Sequence, residues 1–407
     1  MSETSERVAG ALSDLRGGGR GWMLATIAAG WLLTLGMRFL VPAVLPQVRK
    51  TFEISNATAG LAVTVIWAFY ALTQFPAGLV TDRVGERTAL AVSLGVTAGS
   101  LLLLAGAPLF PVFVLGAAAF GVSSGLYGPA RGTSLSKGFP RRSGAAFGIT
   151  LACGSLGSAV LPLVAGVLVG ALGWRLLIAA AAPLFALCAA AAWVVLPHPI
   201  DALTDGPAQD DGPALSVRDA VRGLPAAVRN RNVVLAVLGT TFYLFAFQGL
   251  TAFLPTYLVE HELIGQDVAA VIFALLFVGG GLTQLVAGSL ADRYGNSSVL
   301  VTVAVVGVLT LFVVPFVSSI YVWGVLSFLL GTRMGIAPVA NSYIIATLPD
   351  EAQGASWGFV RTCFFLVGAT GSVFVGAMAD AHLFTEAFVA LGAITAVAVV
   401  CFRAVSE

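Results

Sequence analysis

The stretch Ala71-Leu-Thr-Gln-Phe-Pro-Ala-Gly-Leu-Val-Thr-Asp-Arg-Val-Gly85 recurs 210 residues later as Gly281-Leu-Thr-Gln-Leu-Val-Ala-Gly-Ser-Leu-Ala-Asp-Arg-Tyr-Gly295. Eight of the fifteen positions are identical, and an Asp-Arg pair is among them. The same offset relates three further pairs of glycines: Gly121 and Gly331, Gly125 and Gly335, and Gly166 and Gly376. A repeat at one fixed offset indicates that the chain contains two copies of a smaller unit.

The composition is that of a membrane protein. Hydrophobic residues make up 58% of the 407 residues and charged residues only 10%, whereas a soluble domain has about 25% charged residues. Apolar runs of about 20 residues, the length that crosses a bilayer, recur along the whole chain. We therefore predict an all-α membrane protein with twelve transmembrane helices. The predicted spans are 21–48, 57–80, 87–107, 110–132, 143–170, 175–196, 232–258, 268–291, 297–317, 320–346, 353–379 and 383–404.

One long polar segment divides these spans into two sets of six. We predict a cytoplasmic N-terminal tail at 1–20, an N-terminal six-helix bundle at 21–196, a cytoplasmic linker at 197–231 and a C-terminal six-helix bundle at 232–404. Most of the 21 lysines and arginines fall on one side of this arrangement. The positive-inside rule then predicts that both termini are in the cytoplasm, and we expect the protein in the plasma membrane.

Several classes of function are not expected. The net charge of +1 gives no reason to expect a nucleic-acid partner. The four cysteines have neither paired nor metal-binding spacing, so we predict no metal site, and no cofactor motif is evident. No catalytic triad or nucleotide-binding loop is evident either, so we do not expect an enzyme. We expect a monomer whose partners are the lipid bilayer and a small substrate.

The repeated segment resembles the loop signature of the major facilitator superfamily, and its second copy resembles the weaker second signature of that superfamily. The resemblance implies a transporter with alternating access, in which the aspartate contacts a helix end of the other half when the cytoplasmic side is closed. We expect Arg131 to join the charge network of Asp82. The predicted gating residues are Gly78, Asp82, Arg83, Gly85 and Arg87 in the first half, Gly288, Asp292 and Arg293 in the second half, and Arg131.

Three arginines, Arg38, Arg333 and Arg361, fall inside predicted spans, and no Asp or Glu lies near a span centre. Each such arginine costs about 2.5–3.5 kcal/mol on insertion scales, so we predict that an anionic substrate supplies the missing negative charge. Arg38 and Arg333 lie near mid-membrane depth. Arg361 is closer to the cytoplasmic end and either faces the cavity or extends to the interface.

Polar and aromatic residues complete the predicted substrate site. They are Gln248 and Tyr243 in the seventh span and Asn341 in the tenth, with Trp67 and Tyr70 in the second. Gln74 and Gln284 are expected to form hydrogen bonds between helices.

Arg38 precedes a span-ending proline by eight residues, in Arg38-Phe-Leu-Val-Pro-Ala-Val-Leu-Pro46. This pattern resembles the first span of organophosphate/phosphate antiporters and of sialin-like anion:cation symporters. The resemblance implies a small organic anion that bears a carboxylate or a phosphate. We predict exchange or export of this anion, because an inside-negative membrane opposes anion uptake.

Two other functions fit the same fold. A multidrug or lipophilic-compound efflux transporter is the main alternative. A receptor that has lost transport would be expected to have broken gating motifs, and the first motif is intact.

Overall fold

The structure is a computed structural model that describes residues 20–140, 142–197, 230–348 and 353–405. These parts of the chain are almost entirely helical and contain no strand. The predicted tail lies outside the described residues except for Arg20, and the predicted linker lies outside them except at its two ends. The boundaries of the two predicted bundles therefore stay predictions.

The helices are numbered here in chain order. Those of the first half are α1 (Arg20–Ala43), α2 (Leu45–Phe52), α3 (Asn56–Val84), α4 (Glu86–Gly106), α5 (Phe110–Gly138) and α6 (Ser143–Val195). Those of the second half are α7 (Arg231–Thr256), α8 (Gln266–Tyr294), α9 (Asn296–Val313), α10 (Ile320–Gly331), α11 (Ile336–Thr347), α12 (Gln353–Ala369), α13 (Gly371–Asp380) and α14 (Phe384–Arg403).

These helices account for twelve membrane crossings. Eleven helical segments in the described chain are long and apolar enough to cross a membrane. One of them, α6, has 53 residues and bends at Gly173, where φ is 73°. Only glycine adopts this backbone conformation without strain. Because a single crossing takes about 20 residues, the two arms of the bent α6 contribute two crossings. The prediction of an all-α membrane protein with two pseudo-symmetric six-helix bundles is confirmed.

The tenth and eleventh spans are each built from two helices. A 3₁₀ turn, Thr332–Gly335, separates α10 from α11, and Thr370 separates α12 from α13. Inside a membrane, the backbone groups that such a break releases need partners from the protein, because lipid offers none. The break between α10 and α11 has such partners, which are described below.

The repeated glycines mark the same close helix contact in both halves. A methyl group on Gly121 of α5 would overlap the backbone carbonyl of Ile66 in α3. A methyl group on Gly331 of α10 would likewise overlap the backbone carbonyl of Leu276 in α8. The offset of 210 residues therefore corresponds to one packing geometry that is used twice.

The third glycine pair lies where the two halves meet. Gly166 of α6 packs against Ala270 of α8, and Gly376 of α13 packs against the carbonyl of Asn56 at the start of α3. These contacts, α6 with α8 and α3 with α12 and α13, form the main junction between the halves. Two small residues at equivalent positions thus let helices of opposite halves approach closely.

The close contacts predict the effect of adding one methyl group. We expect Gly121→Ala and Gly331→Ala each to destabilise the protein by about 1–3 kcal/mol, because the new methyl group meets a backbone carbonyl. Alanine is otherwise favoured over glycine in a helix by about 1 kcal/mol. The measurement is the thermal unfolding of the purified protein in detergent.

Gly99→Ala is the matched control, because no atom lies within 4 Å of the position its methyl group would take. This variant should melt at the wild-type temperature or above it. Equal melting temperatures for all three variants would contradict the packing described here.

Candidate functional site

A cavity of about 370 Å³ lies between the two halves. Its wall is formed mainly by aliphatic and aromatic side chains of α1, α3 and α5–α8, together with Met334 and residues of α11 and α12. Three arginines also lie on this wall: Arg38, Arg131 and Arg361. The described residues of the wall include no Asp, Glu, Lys or His. The cavity therefore carries three positive charges without an opposing side chain.

Arg38 is enclosed by aromatic rings. Its guanidinium carbon lies 3.8 Å from the ring centre of Tyr70, 5.1 Å from that of Trp67 and 5.8 Å from that of Trp31. The side chain is 1% exposed and donates one long hydrogen bond of 3.4 Å to the carbonyl of Ser124. Its Nε atom has no partner. Cation–π contacts offset part of the cost of burying this charge.

Arg131 lies on the cavity wall and not in the predicted network of Asp82. Its guanidinium carbon is 4.2 Å from the ring centre of Trp31, and its Nε and Nη1 atoms have no partner. The reason is the length of α5, which continues to Gly138 and so passes the predicted end of the fourth span by six residues. Arg131 therefore lies about two turns inside the helix.

Arg361, for which the sequence left two positions open, lies on the cavity wall. Its guanidinium carbon is 5.7 Å from the ring centre of Phe365, one helical turn away on α12. Phe365 in turn contacts Trp67 and Tyr70 of the first half. The three arginines thus belong to one cluster of aromatic rings that joins both halves.

Arg333 is buried at 0% exposure but is absent from the cavity wall. Its Nη2 donates to the hydroxyl of Thr395 in α14 at 3.1 Å. Gly307 of α9 leaves room for its side chain. The sequence predicts that Arg333 falls inside a span, but it does not predict the direction in which this side chain points.

Of the other residues predicted to contact the substrate, all but one lie on the cavity wall. Gln248 and Tyr243 lie on the cavity wall, as do Trp67 and Tyr70. Asn341 is half-buried and does not line the cavity. The side chain of Gln248 is 0% exposed, and neither atom of its amide group has a hydrogen-bond partner.

Tyr243 also supports the break between α10 and α11. Its hydroxyl donates to the carbonyl of Arg333 at 2.6 Å, and Gln284 donates to the carbonyl of Met334 at 3.3 Å. Both carbonyls belong to the 3₁₀ turn. In the first half, Gln74 makes a long contact of 3.5 Å to the carbonyl of Gly125, so both glutamines link neighbouring helices.

The cavity wall also includes several aromatic rings that were not among the predicted site residues. Trp31 lies seven residues before Arg38 in α1, and Phe365 lies four residues after Arg361 in α12. Both spacings place two side chains on the same face of a helix, so the sequence did contain the signal. Phe39 and Phe247 complete the aromatic wall.

Polar contacts close one end of the bundle, here called the Asp380 end. The two carboxylate oxygens of Asp380 accept hydrogen bonds from the backbone N–H groups of Asn56 and Ala57, each at 2.8 Å. These are the first two residues of α3, where the helix dipole favours a negative charge. Arg49 and Glu260 form a salt bridge of 2.7 Å at the same end. Each contact joins the two halves.

The opposite end carries the repeated motifs and is called the motif end. Asp82, Arg83, Asp292 and Arg293 are exposed there. Among the described residues neither aspartate forms a hydrogen bond or a salt bridge. Arg87 packs over the ring of Trp193 at 4.6 Å within its own half.

The glycines of the motifs lie at the same end. Gly85 and Gly295 connect consecutive helices with φ values of 80° and 86°, while Gly78 and Gly288 have open space at their Cβ positions. The structure is thus closed at the Asp380 end, and the motif aspartates do not bridge the two halves.

The sequence profile of the Major Facilitator Superfamily matches residues 22–263 and residues 262–407. The chain belongs to this superfamily. It is accordingly a membrane transporter and not an enzyme.

Two curated relatives illustrate this membership. Multidrug resistance protein MdtG of Citrobacter koseri is 27% identical over 376 residues, which is 90% of this chain and 89% of that protein. YfnC of Bacillus subtilis (strain 168), an uncharacterized MFS-type transporter, is 24% identical over 394 residues, which is 95% of this chain and 93% of that protein.

Solved structures share the fold. A bacterial homolog of the human lysosomal transporter Spinster, in an inward-facing and unoccupied conformation, has a TM-score of 0.79 at 15% identity. That comparison covers 95% of this chain and 97% of the other. The nucleoside transporter NupG has a TM-score of 0.78 at 14% identity, over 95% of this chain and 100% of the other. These two likenesses concern the fold alone.

The hydrogen bond at the helix break gives the first prediction for this site. We expect Tyr243→Phe to destabilise the protein by about 1–3 kcal/mol, because the buried carbonyl of Arg333 loses its donor. Thermal unfolding measures the effect. Tyr321→Phe is the control, since Tyr321 is 82% exposed and should tolerate loss of its hydroxyl. If Tyr243→Phe melts with the wild type, the hydroxyl is not needed at the break.

The contacts at the Asp380 end predict a shift between conformations. Asp380→Asn weakens two hydrogen bonds to a helix N-terminus, so we expect the population open at this end to rise by about tenfold. Spin labels at Lys50 and His261, with the native cysteines replaced, report the distance across this end by electron–electron double resonance.

Asp267→Asn is the control, because Asp267 is an exposed acid at the same end. It should leave the distribution of distances unchanged. The same distribution in Asp380→Asn as in the wild type would show that Asp380 does not hold this end closed.

Proposed function

We propose that the protein carries organic anions across the membrane by alternating access. In this proposal, Arg38, Arg131 and Arg361 bind the anionic group of the substrate. Arg333 lies in the break between α10 and α11, donates to Thr395 and contacts the cavity wall through Tyr243.

One observation carries the proposal. Three guanidinium groups lie on one cavity wall, each has at least one N–H group without a partner, and the described wall offers no carboxylate. Arginine has five N–H donors in a planar arrangement that matches a carboxylate or a phosphate. An anion in this cavity would supply hydrogen-bond acceptors for these unpartnered N–H groups.

The energies favour an anion over a purely structural role for these arginines. Each arginine inside a span costs about 2.5–3.5 kcal/mol on insertion scales, and a cation–π contact recovers about 0.5–2 kcal/mol. One unit charge 4 Å from a guanidinium contributes about 4 kcal/mol at an effective dielectric constant of 20. An anion next to these guanidinium groups would therefore offset more of this cost than the ring contacts do.

The rest of the wall defines the remainder of the substrate. Trp67, Phe39, Phe247 and Phe365 line the same cavity as the arginines. Such a wall favours a flat apolar body attached to the anionic group, because burial of apolar surface contributes about 25 cal/mol per Å². The substrate is thus an amphipathic anion.

The direction of transport follows from charge. A membrane that is negative inside drives anions outward by about 2.3 kcal/mol per charge per 100 mV. Export of the anion, or its exchange for another anion, needs no titratable carboxylate in the cavity. We propose that the motif end is cytoplasmic, as the positive-inside rule predicts. The protein then acts as a monomer in the plasma membrane with both termini inside.

Alternating access uses the two ends in turn. Release of Asp380 from the start of α3 would open the outer end. Closure of the motif end would bring Asp82 to a helix end of the other half, the contact that the superfamily motif implies. Because a carboxylate at a helix N-terminus contributes about 0.3–1 kcal/mol, each contact biases an equilibrium that is nearly balanced.

Efflux of uncharged lipophilic compounds is the second candidate. It is favoured by the aromatic wall of the cavity and by a relative, MdtG, that is named a multidrug resistance protein. The two candidates differ in whether the substrate needs a negative charge, so uncharged isosteres separate them.

The test is a thermal-shift measurement with matched pairs. The probes are 2-naphthoate and phenyl phosphate, each against an uncharged partner of similar shape, 2-naphthamide for the former and phenyl methyl sulfone for the latter. We expect the anions to raise the melting temperature of the wild type, because a ligand that binds only the folded state stabilises it. Arg38→Gln, Arg131→Gln and Arg361→Gln should each weaken anion binding by about tenfold or more.

Arg333→Gln is the matched control. It also removes an arginine from within a span, but one that does not line the cavity, so it should keep the shift caused by anions. Larger shifts with the uncharged partners than with the anions would replace anion transport by lipophile efflux.

A further inference from the structure

We infer that the substrate carries a hydrogen-bond donor on its apolar body in addition to its anionic group, and that Gln248 recognises this donor. The inference rests on the proposed function, because it concerns the same cavity. It defines the substrate class as organic anions with a hydroxyl or amide N–H group.

The first observation is the state of Gln248 itself. The side chain is 0% exposed, lies on the cavity wall, and has no hydrogen-bond partner at either Nε2 or Oε1. Buried amide groups in proteins are nearly always hydrogen-bonded, so an unpartnered one needs an explanation. Because both atoms lack a partner, a rotation of the amide by 180° would still leave its oxygen without a donor.

The second observation is the chemistry of the surrounding wall. The other buried side-chain atoms without a partner on the described wall are all N–H donors, and they belong to Arg38, Arg131, Arg361 and Trp31. An anionic group offers acceptors to these donors but has no hydrogen to give to Gln248. Among these unpartnered atoms the oxygen of Gln248 is the single acceptor, and a substrate donor would satisfy it.

The repeat explains why this position matters. Gln248 lies 210 residues after Arg38, so the two residues occupy equivalent positions in the two halves. An arginine at position 248 would add a fourth positive charge and could only donate hydrogen bonds. Glutamine has similar reach, adds no charge and provides an acceptor. The difference between the two halves thus gives the cavity a charged side and a neutral polar side.

The experiment compares three naphthoates that differ at one carbon. The probes are 2-naphthoate, 6-hydroxy-2-naphthoate and 6-methoxy-2-naphthoate, and the readout is the dissociation constant from titration of the purified protein. We expect the wild type to bind the hydroxy compound about threefold to tenfold more tightly than 2-naphthoate, the range typical of one neutral hydrogen bond. The methoxy compound accepts but does not donate and should show no such gain.

Gln248→Leu removes the acceptor at similar volume. It should abolish the preference for the hydroxyl group, so that the hydroxy compound and 2-naphthoate bind to this variant with similar dissociation constants. Because it removes an unpartnered buried amide, it should melt no lower than the wild type. Gln248→Glu keeps an acceptor and should keep the preference, but it should bind all three anions more weakly because its charge opposes theirs.

Gln74→Leu is the matched control. It also removes a glutamine from the cavity wall, but that amide lies against the carbonyl of Gly125. The ratio of affinities for the hydroxy and parent compounds should therefore stay at the wild-type value.

The outcomes separate the two proposals. If the wild type binds 2-naphthoate without preferring the hydroxyl group, or if Gln248→Leu retains that preference, the inference is wrong and anion transport stands. An equal gain for the methoxy compound would also overturn it, because the contact would then be apolar. If the wild type binds none of the three anions, the proposed function fails and the inference fails with it.

Discussion

The placement of three arginines on one cavity wall inside a membrane protein determines how the surrounding side chains are arranged. The described cavity wall holds Arg38, Arg131 and Arg361 with no carboxylate beside them. Aromatic rings offset part of the free-energy cost of placing these charges inside the protein. The ring centre of Tyr70, 3.8 Å from the guanidinium carbon of Arg38, is the nearest to that arginine. Since aromatic faces are weaker partners than carboxylates, the charge of the cavity stays available to a substrate. The same rings also join the two halves, so the proposed anion site and the junction between the halves share residues.

The internal duplication accounts for the helical scaffold, whereas the charged residues of the cavity differ between the two halves. The glycines that bring α3 to α5 and α8 to α10 occupy equivalent positions, and so do the glutamines that support these helices. The charged residues of the cavity do not repeat. At the offset of 210 residues, Arg38 corresponds to Gln248, Arg131 to Asn341 and Arg361 to Leu151. A symmetric framework therefore surrounds a cavity that is more basic in its first half, which suits a ligand with one charged end and one neutral end.

The sequence predicted the fold well because composition, span length and the repeat are properties of the whole chain. It predicted which arginines fall inside spans but not the directions of their side chains. Arg333 and Arg38 both lie within spans, yet a 3₁₀ turn and the space beside Gly307 accompany a side chain of Arg333 that does not line the cavity. The predicted fourth span ends six residues before α5 does, and this difference moves Arg131 away from the expected helix end. Asp380 was not singled out, since its partners are the backbone N–H groups of a helix 324 residues away in sequence, and no sequence pattern marks such a contact.

Under the proposed function, the guanidinium groups of the cavity hold the anionic group of the substrate. Crystals soaked with 6-bromo-2-naphthoate would show this contact, because the anomalous signal of bromine fixes the orientation of the ligand. We expect a carboxylate within hydrogen-bonding distance of Arg38, Arg131 or Arg361, with the bromine between the aromatic rings of the wall. A ligand in the cavity whose carboxylate points away from all three arginines would rule out this binding mode, as would a cavity that stays empty at saturating ligand.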